Sequence, residues 1–208
     1  MSFNRNPQLE GLAALTYTPL LPYHNFEHAQ STIKSAEKIL THCLEEGVRA
    51  DGEIIYRALL FHDAGYHQDN INLGFPTKEE LSANIAGRIM SLLNLDARII
   101  LATQRAIIST HKDAPFITNE EKIVRAADLA GMVGDYQTFL KNTLLLKKEA
   151  ELFEQRKIPI RKWKEKTRAI IEFYLSQDIR LTSHYSDNEG NSVFHTRARA
   201  NLERFLKE

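Results

Sequence analysis

The stretch that decides the fold is residues 51–64, which read DGEIIYRALLFHDA. Within it, Ile55, Ala58, Leu59 and His62 recur at the i, i+3, i+4 and i+7 spacing of one helix face. This periodicity predicts a helix over the whole stretch, with an imidazole pointing into the core. A core-facing imidazole needs a polar partner, so this helix indicates a polar site inside the core.

Helical spacing continues on both sides of this stretch, and no run alternates β-branched with polar residues. Gly47 ends a helix that begins near Asn25, and two Thr-x-x-Glu capping boxes open further helices. We therefore predict an all-α fold. The predicted helices cover about 25–46, 51–64, 78–93, 97–111, 119–133, 135–156, 159–176 and a last one from about 196, with a loop at 67–76.

Length and composition favour one soluble domain. The 208 residues can bury a substantial core, and we predict a single domain over 1–208. Its core, about 20–135, should carry the site, with C-terminal helices at about 136–208 packing on it.

The 27 basic residues balance the 27 acidic ones, so no overall field attracts nucleic acid or anionic lipid. No segment approaches bilayer-spanning length, and the lone Cys43 cannot form an intramolecular disulfide; we predict a cytoplasmic protein without a membrane partner.

A carboxylate joins the buried imidazole. Asp128 lies on the same predicted helix face as Val124 and Ala127, and burying an ionised carboxylate without a partner costs several kcal/mol. A divalent metal would satisfy Asp128 and His62 together. Asp63 follows His62 directly, and adjacent helix residues lie about 100° apart, so both reach one ion only from a helix end.

Residues 23–28 supply further imidazoles at the start of the predicted 25–46 helix. His24 and His28 are four residues apart and share a face, so either could be a ligand. Two histidines and two aspartates form a mixed nitrogen and oxygen site suited to manganese, magnesium, zinc, nickel or iron. Such a set leaves positions open for water and substrate, which favours catalysis over a structural metal.

These residues resemble the HD superfamily of metal-dependent phosphohydrolases, whose helical core carries a His, a His-Asp pair and a distant Asp in this order. Tyr23-His24-Asn25-x-x-His28 is similar to a segment shared by cyclic-nucleotide phosphodiesterases and a bacterial group of predicted HD phosphohydrolases of about this length. Further similarity to the bacterial group lies in Phe61-His62-Asp63-x-x-Tyr66, Glu80-x-Ser82-Ala83, Asp128-Leu129 and Ala198-Arg199-Ala200-Asn201-Leu202.

The resemblance implies a single HD domain with a phosphodiesterase-like fold and a divalent metal. It also implies that the protein hydrolyses a phosphate mono- or diester, for example a nucleotide, by attack of a metal-bound water. His24 matches the position that protonates the leaving oxygen in the phosphodiesterases. The metal ligands implied by the resemblance are His28, His62, Asp63 and Asp128.

Three further side chains are candidates that also have ordinary structural explanations. Glu80 could orient the attacking water, or it could complete the capping box that begins at Thr77.

His67 and His111 could contact a second metal or a phosphate. The phosphodiesterases carry an extra His and Asn after their His-Asp pair, but here His67 and Asn70 stand at shifted spacings, which favours one metal over two. Lys112 and Arg125 are weaker candidates for phosphate contacts.

Two other functions stay open at this point. Some HD-fold proteins hold two irons and oxidise their substrates, and His67 or His111 could supply the extra ligand for such a di-iron oxygenase. A nucleotide-binding regulatory module could also retain the metal site without turnover. The residues do not discriminate among these functions, and they identify neither the substrate nor the oligomeric state.

Overall fold

The structure is a computed structural model that describes residues 2–186 and 191–208. Every regular element within these residues is helical, which confirms the all-α fold. No helix in these ranges has both the length and the apolar character needed to cross a bilayer. The helices are α1 (Pro7–Ala14), α2 (Phe26–Glu45), α3 (Gly52–Phe61), α4 (Lys78–Leu92), α5 (Ala97–Ile108), α6 (Asn119–Asp128), α7 (Tyr136–Phe153), α8 (Ile160–Leu175) and α9 (Val193–Lys207).

Most helices begin where a capping side chain stands in the sequence. The side-chain oxygens of Asn25, Thr77 and Asp96 accept backbone N–H groups in the first turns of α2, α4 and α5. Sequence patterns missed α1, which Asn6 caps and Pro7 opens. The helix predicted over 119–133 also differs, because α6 ends at Asp128 and the chain continues as a 3-10 turn, Leu129–Met132.

The chain forms two compact units, Met1–Asp128 and Leu129–Glu208. All four predicted metal ligands belong to the first unit. The single-domain organisation, with a core at about 20–135, stays a prediction. Within the second unit, the Trp163 indole of α8 donates to the Thr143 carbonyl of α7 at 3.1 Å. The Asn201 amide of α9 donates to the carbonyls of Met132 and Gly134 beside the 3-10 turn.

Helix α3 lies at the centre of the first unit. It contacts α1, α2, α4, α5 and α6, and every apolar side chain from Ile55 to Phe61 is buried. A helix segment that is apolar around most of its circumference belongs in a core. Because neighbours surround α3, the residues directly after its C-terminal end are also buried, and His62 and Asp63 occupy those positions. The buried α3 residues are Ile55, Tyr56, Ala58, Leu59, Leu60 and Phe61.

Candidate metal centre

Three helix ends bring the predicted ligands together. His28 lies in the first turn of α2, where its N–H donates to the capping oxygen of Asn25 at 3.2 Å. His62 and Asp63 follow the last residue of α3, and Asp128 is the last residue of α6. Helices α2, α3 and α6 contact one another pairwise, so the three ends form one cluster.

The ligand atoms of His28, His62 and Asp128 lie within 4.8 Å of one another, so this group could hold a metal ion. Oδ1 of Asp128 is 3.3 Å from Nε2 of His28 and 3.4 Å from Nε2 of His62. Asp63 adds a second carboxylate, whose Oδ2 lies 3.1 Å from Nε2 of His62 and 3.6 Å from Nε2 of His28.

Nε2 of His28 and Oδ1 of Asp128 are within hydrogen-bond distance, but this one contact does not account for the other two side chains. Nε2 of His62 and Oδ2 of Asp63 are buried, and neither makes a hydrogen bond to a described residue. The other ring nitrogen of His62, Nδ1, lies 2.8 Å from the Leu59 carbonyl. A carbonyl only accepts, so Nδ1 carries the proton and, in the neutral ring, the Nε2 lone pair faces the cluster.

The spacing of these atoms fits a metal shell. Metal bonds of about 2.0–2.2 Å place neighbouring ligand atoms about 2.8–3.6 Å apart in octahedral or tetrahedral geometry. The four nitrogen-to-oxygen distances within the cluster run from 3.1 to 3.6 Å. Both the donor types and their separations therefore suit a divalent ion.

The pKa values of the clustered side chains depend strongly on one another. Burial by itself would lower the pKa of His62, but the carboxylates of Asp63 and Asp128 outweigh burial and hold that pKa well above its usual value. Burial would likewise raise the pKa of each carboxyl, yet the neighbouring imidazoles lower it. Without a metal, the cluster therefore retains a proton on His62 that an entering ion must displace.

We expect a divalent metal to raise the melting temperature more at about pH 8 than at about pH 6. In the metal-free protein, the raised pKa of His62 contributes stability that is complete below its ordinary value of 6.5 and is lost as pH rises through the raised value. The lowered pKa values of Asp63 and Asp128 contribute stability above 3.8 that is lost only in stronger acid. Rising pH thus weakens the metal-free site while removing the proton that competes with the metal.

Thermal unfolding with Mn²⁺ or with a chelator, at both pH values, measures this difference. Metal at about 100 times its Kd adds about 2.7 kcal/mol to the free energy of unfolding. An Asp128→Asn variant is the control, and its melting temperature should not respond to the metal. A metal-induced shift in the unsubstituted protein that grows as pH falls would contradict the expected competition.

The chain matches no protein-family model, and no curated protein sequence matches it significantly. The resemblance to the HD superfamily therefore stays a prediction.

Of the two imidazoles near residue 25, His28 directs Nε2 at the carboxylates of Asp63 and Asp128. His24 lies beside the cluster, with its ring centroid 6.0 Å from that of His28 and its charge lowering the pKa of Asp63. Its ring stacks on Tyr66, with centroids 3.9 Å apart and planes 14° apart. The structure thus places His24 next to the predicted ligands, and its role as a proton donor stays a prediction.

Among the carboxylates outside the ligand set, Glu79 is the one whose pKa reflects the cluster. Burial raises the pKa of Glu79, the charges of Asp63 and Asp128 raise it further, and the charge of His111 opposes them. Sequence patterns favoured Glu80 instead, whose N–H donates to the capping oxygen of Thr77 at 3.1 Å. The catalytic role of Glu80 stays a prediction, and Glu79 is a functional candidate that the sequence did not reveal.

The remaining candidate residues, His67, His111 and Arg125, differ in their relation to the metal centre. His67 is exposed in the 67–76 loop and is not part of the ligand group, whereas His111 lies within electrostatic reach of Glu79. Arg125 is buried, and its guanidinium donates to the carbonyls of Ser109, His111 and Lys112. These bonds satisfy backbone carbonyl groups at and just after the C-terminal end of α5. Arg125 therefore has a structural role in holding the segment that contains His111.

Proposed function

We propose that this protein is a metal-dependent phosphohydrolase of the HD type, acting on a phosphate mono- or diester such as a nucleotide. The observation that carries the proposal is the convergence of His28, His62, Asp63 and Asp128, two of which present buried polar atoms without hydrogen bonds. These four residues would hold the ion. When bound, manganese, magnesium, zinc, nickel or iron would polarise a phosphoryl oxygen and lower the pKa of a water.

Unequal burial within the cluster supports catalysis over a structural role. The side chain of His62 is 1% exposed, whereas that of Asp128 is 26% exposed. Structural metal sites close their coordination shell with protein ligands, but a catalytic site needs a side that water and substrate can reach. Asp128 marks the more accessible part of the cluster here.

Two neighbours supply complementary proton chemistry in this proposal. His24 donates a proton to the leaving oxygen as the bond to phosphorus breaks. Glu79 accepts a hydrogen bond from the attacking water and takes its proton. The raised pKa of Glu79 supports this role, because a base is most effective when its pKa approaches the working pH.

We expect Glu79→Gln to reduce kcat by about 10–100-fold while leaving metal content unchanged, because the amide keeps the shape of the side chain but cannot take a proton. Glu80→Gln is the matched control, one position along the same helix turn, and should retain most of its activity. Steady-state kinetics and elemental analysis of both variants measure the effects. Greater loss of turnover in Glu80→Gln would assign the base to Glu80.

The proposed function is tested by elemental analysis of the purified protein together with a substrate panel. The panel contains nucleoside mono-, di- and triphosphates, cyclic nucleotides and simple phosphate esters, each with added Mn²⁺, Mg²⁺, Zn²⁺, Ni²⁺ or Fe²⁺. Metal binding with release of phosphate or nucleotide product, lost in Asp63→Ala, supports the proposal. Iron with oxygen uptake, ligand binding without turnover, or no metal under any condition would each overturn it.

A further inference from the structure

The adjacent residues His62 and Asp63 must face one point, although neighbours in a helix diverge by about 100°. The backbone meets this requirement by leaving the α-helical pattern at Phe61. The Ala64 N–H donates to the Phe61 carbonyl, three residues back, at 2.9 Å, instead of reaching the Leu60 carbonyl four residues back. The Leu60 carbonyl therefore requires a partner from elsewhere in the chain.

Tyr17 provides that partner. Its hydroxyl donates to the Leu60 carbonyl at 2.9 Å. Burial raises the pKa of Tyr17 well above its usual range, and the charges of Asp63 and Asp128 raise it further. The hydroxyl is therefore a neutral group that holds the last turn of α3, directly before the predicted ligands His62 and Asp63.

Neighbouring contacts fix Tyr17 in this place. Its ring lies against Phe26, the first residue of α2, with centroids 5.6 Å apart. The preceding carbonyl, of Thr16, accepts the Gly65 N–H at 2.9 Å. Gly65 has a φ of +73°, and a Cβ there would lie 2.6 Å from a methyl carbon of Ile85. Segment 16–17 thus holds both ends of the turn that contains His62 and Asp63.

We propose that Tyr17 is a positioning residue for the metal centre, whose hydroxyl orients the His62-Asp63 pair toward the ion. The inference rests on the metal site of the proposed function. Removal of the Tyr17 hydroxyl should therefore lower metal affinity even where the protein still folds. Removing a hydrogen bond that orients a metal ligand typically weakens metal affinity by about 10–100-fold.

Tyr17→Phe removes the hydroxyl and keeps the ring that packs on Phe26. Tyr56→Phe is the matched control, because Tyr56 is also buried in the first unit and its hydroxyl donates to Glu10 and accepts the Asn6 N–H, remote from the ligands. Titration of the metal-free full chain with Co²⁺ gives the Kd, and the visible absorption of the Co²⁺ form reports ligand geometry. Far-ultraviolet circular dichroism checks the fold of each variant.

We expect Tyr17→Phe to raise the Kd for Co²⁺ by about 10–100-fold and to alter the absorption bands, with Tyr56→Phe matching the unsubstituted protein. Replacing Tyr17 with 4-aminophenylalanine, whose amine donates and accepts, should recover part of the affinity. An unchanged Kd in Tyr17→Phe, an equal change in Tyr56→Phe, or a Tyr17→Phe chain that is unfolded would each overturn the inference. Failure of the unsubstituted protein to bind Co²⁺ would instead refute the proposed function.

Discussion

Asp128→Asn should abolish metal binding and hydrolysis together. The amide keeps the size of the carboxylate but loses the charge that binds a divalent ion, and it lies 3.3–3.4 Å from two imidazole nitrogens. Loss of the ion returns the pKa of the attacking water from near neutral to the far higher value of free water, so we expect kcat to fall by more than about 10⁴-fold. Metal content by elemental analysis and product release by chromatography measure both effects.

Asp178→Asn serves as the control for Asp128→Asn, because the Asp178 carboxylate is 40% exposed and pairs with Arg180 in the other unit. This variant should keep its metal and its activity. Retained metal stoichiometry in Asp128→Asn would refute the ligand assignment. Loss of metal in both variants would mean that the removal of any carboxylate destabilises the protein, and circular dichroism would then show the unfolding.

His24→Asn should leave the metal in place and slow turnover by about 10²–10⁴-fold, the usual contribution of a general acid. The reason is geometric, because the His24 ring stacks on Tyr66 beside the cluster. The loss should depend on the leaving group. A nitrophenolate leaves without protonation, so nitrophenyl phosphate should be hydrolysed nearly as before, while alkyl and nucleoside esters show the full loss.

His42→Asn is the control for this variant, since His42 is exposed at the opposite end of α2. Its kinetics should match those of the unsubstituted protein for both kinds of ester. If His24→Asn slowed both esters equally, His24 would not be the proton donor. If the variant lost its metal, His24 would join the ligand set instead.

The sequence predicted the parts of the site that local patterns encode. The periodicity of α3 predicted the burial of His62. Asp63 can reach the same ion as His62 only at a helix end, and the structure ends α3 at Phe61. Asn25 predicted the start of α2 and with it the position of His28 in the first turn. Caps and apolar spacing depend on residues within one or two turns, so sequence alone reveals them.

Other features depend on packing between distant segments, which local patterns do not encode. Glu79 and Glu80 differ by one position, hence by about 100° of helix rotation, and only the packing of α4 in the first unit brings Glu79 within electrostatic reach of Asp63 and Asp128. Tyr17 reaches Leu60 across 43 positions, with no spacing that marks the contact. Helix α1 has eight residues and only two buried side chains, so its periodicity was too brief to detect.

The position of Asp128 at the end of the first unit also determines when the site can form. His28 and Asp128, which make one of the closest contacts in the cluster, are separated by 100 positions in the chain. During synthesis, a nascent chain that has emerged as far as Asp63 has three of the proposed ligands but not the fourth. Complete coordination would therefore wait until α6 has left the ribosome and docked on α2 and α3, and metal insertion would be a late event in the maturation of the protein.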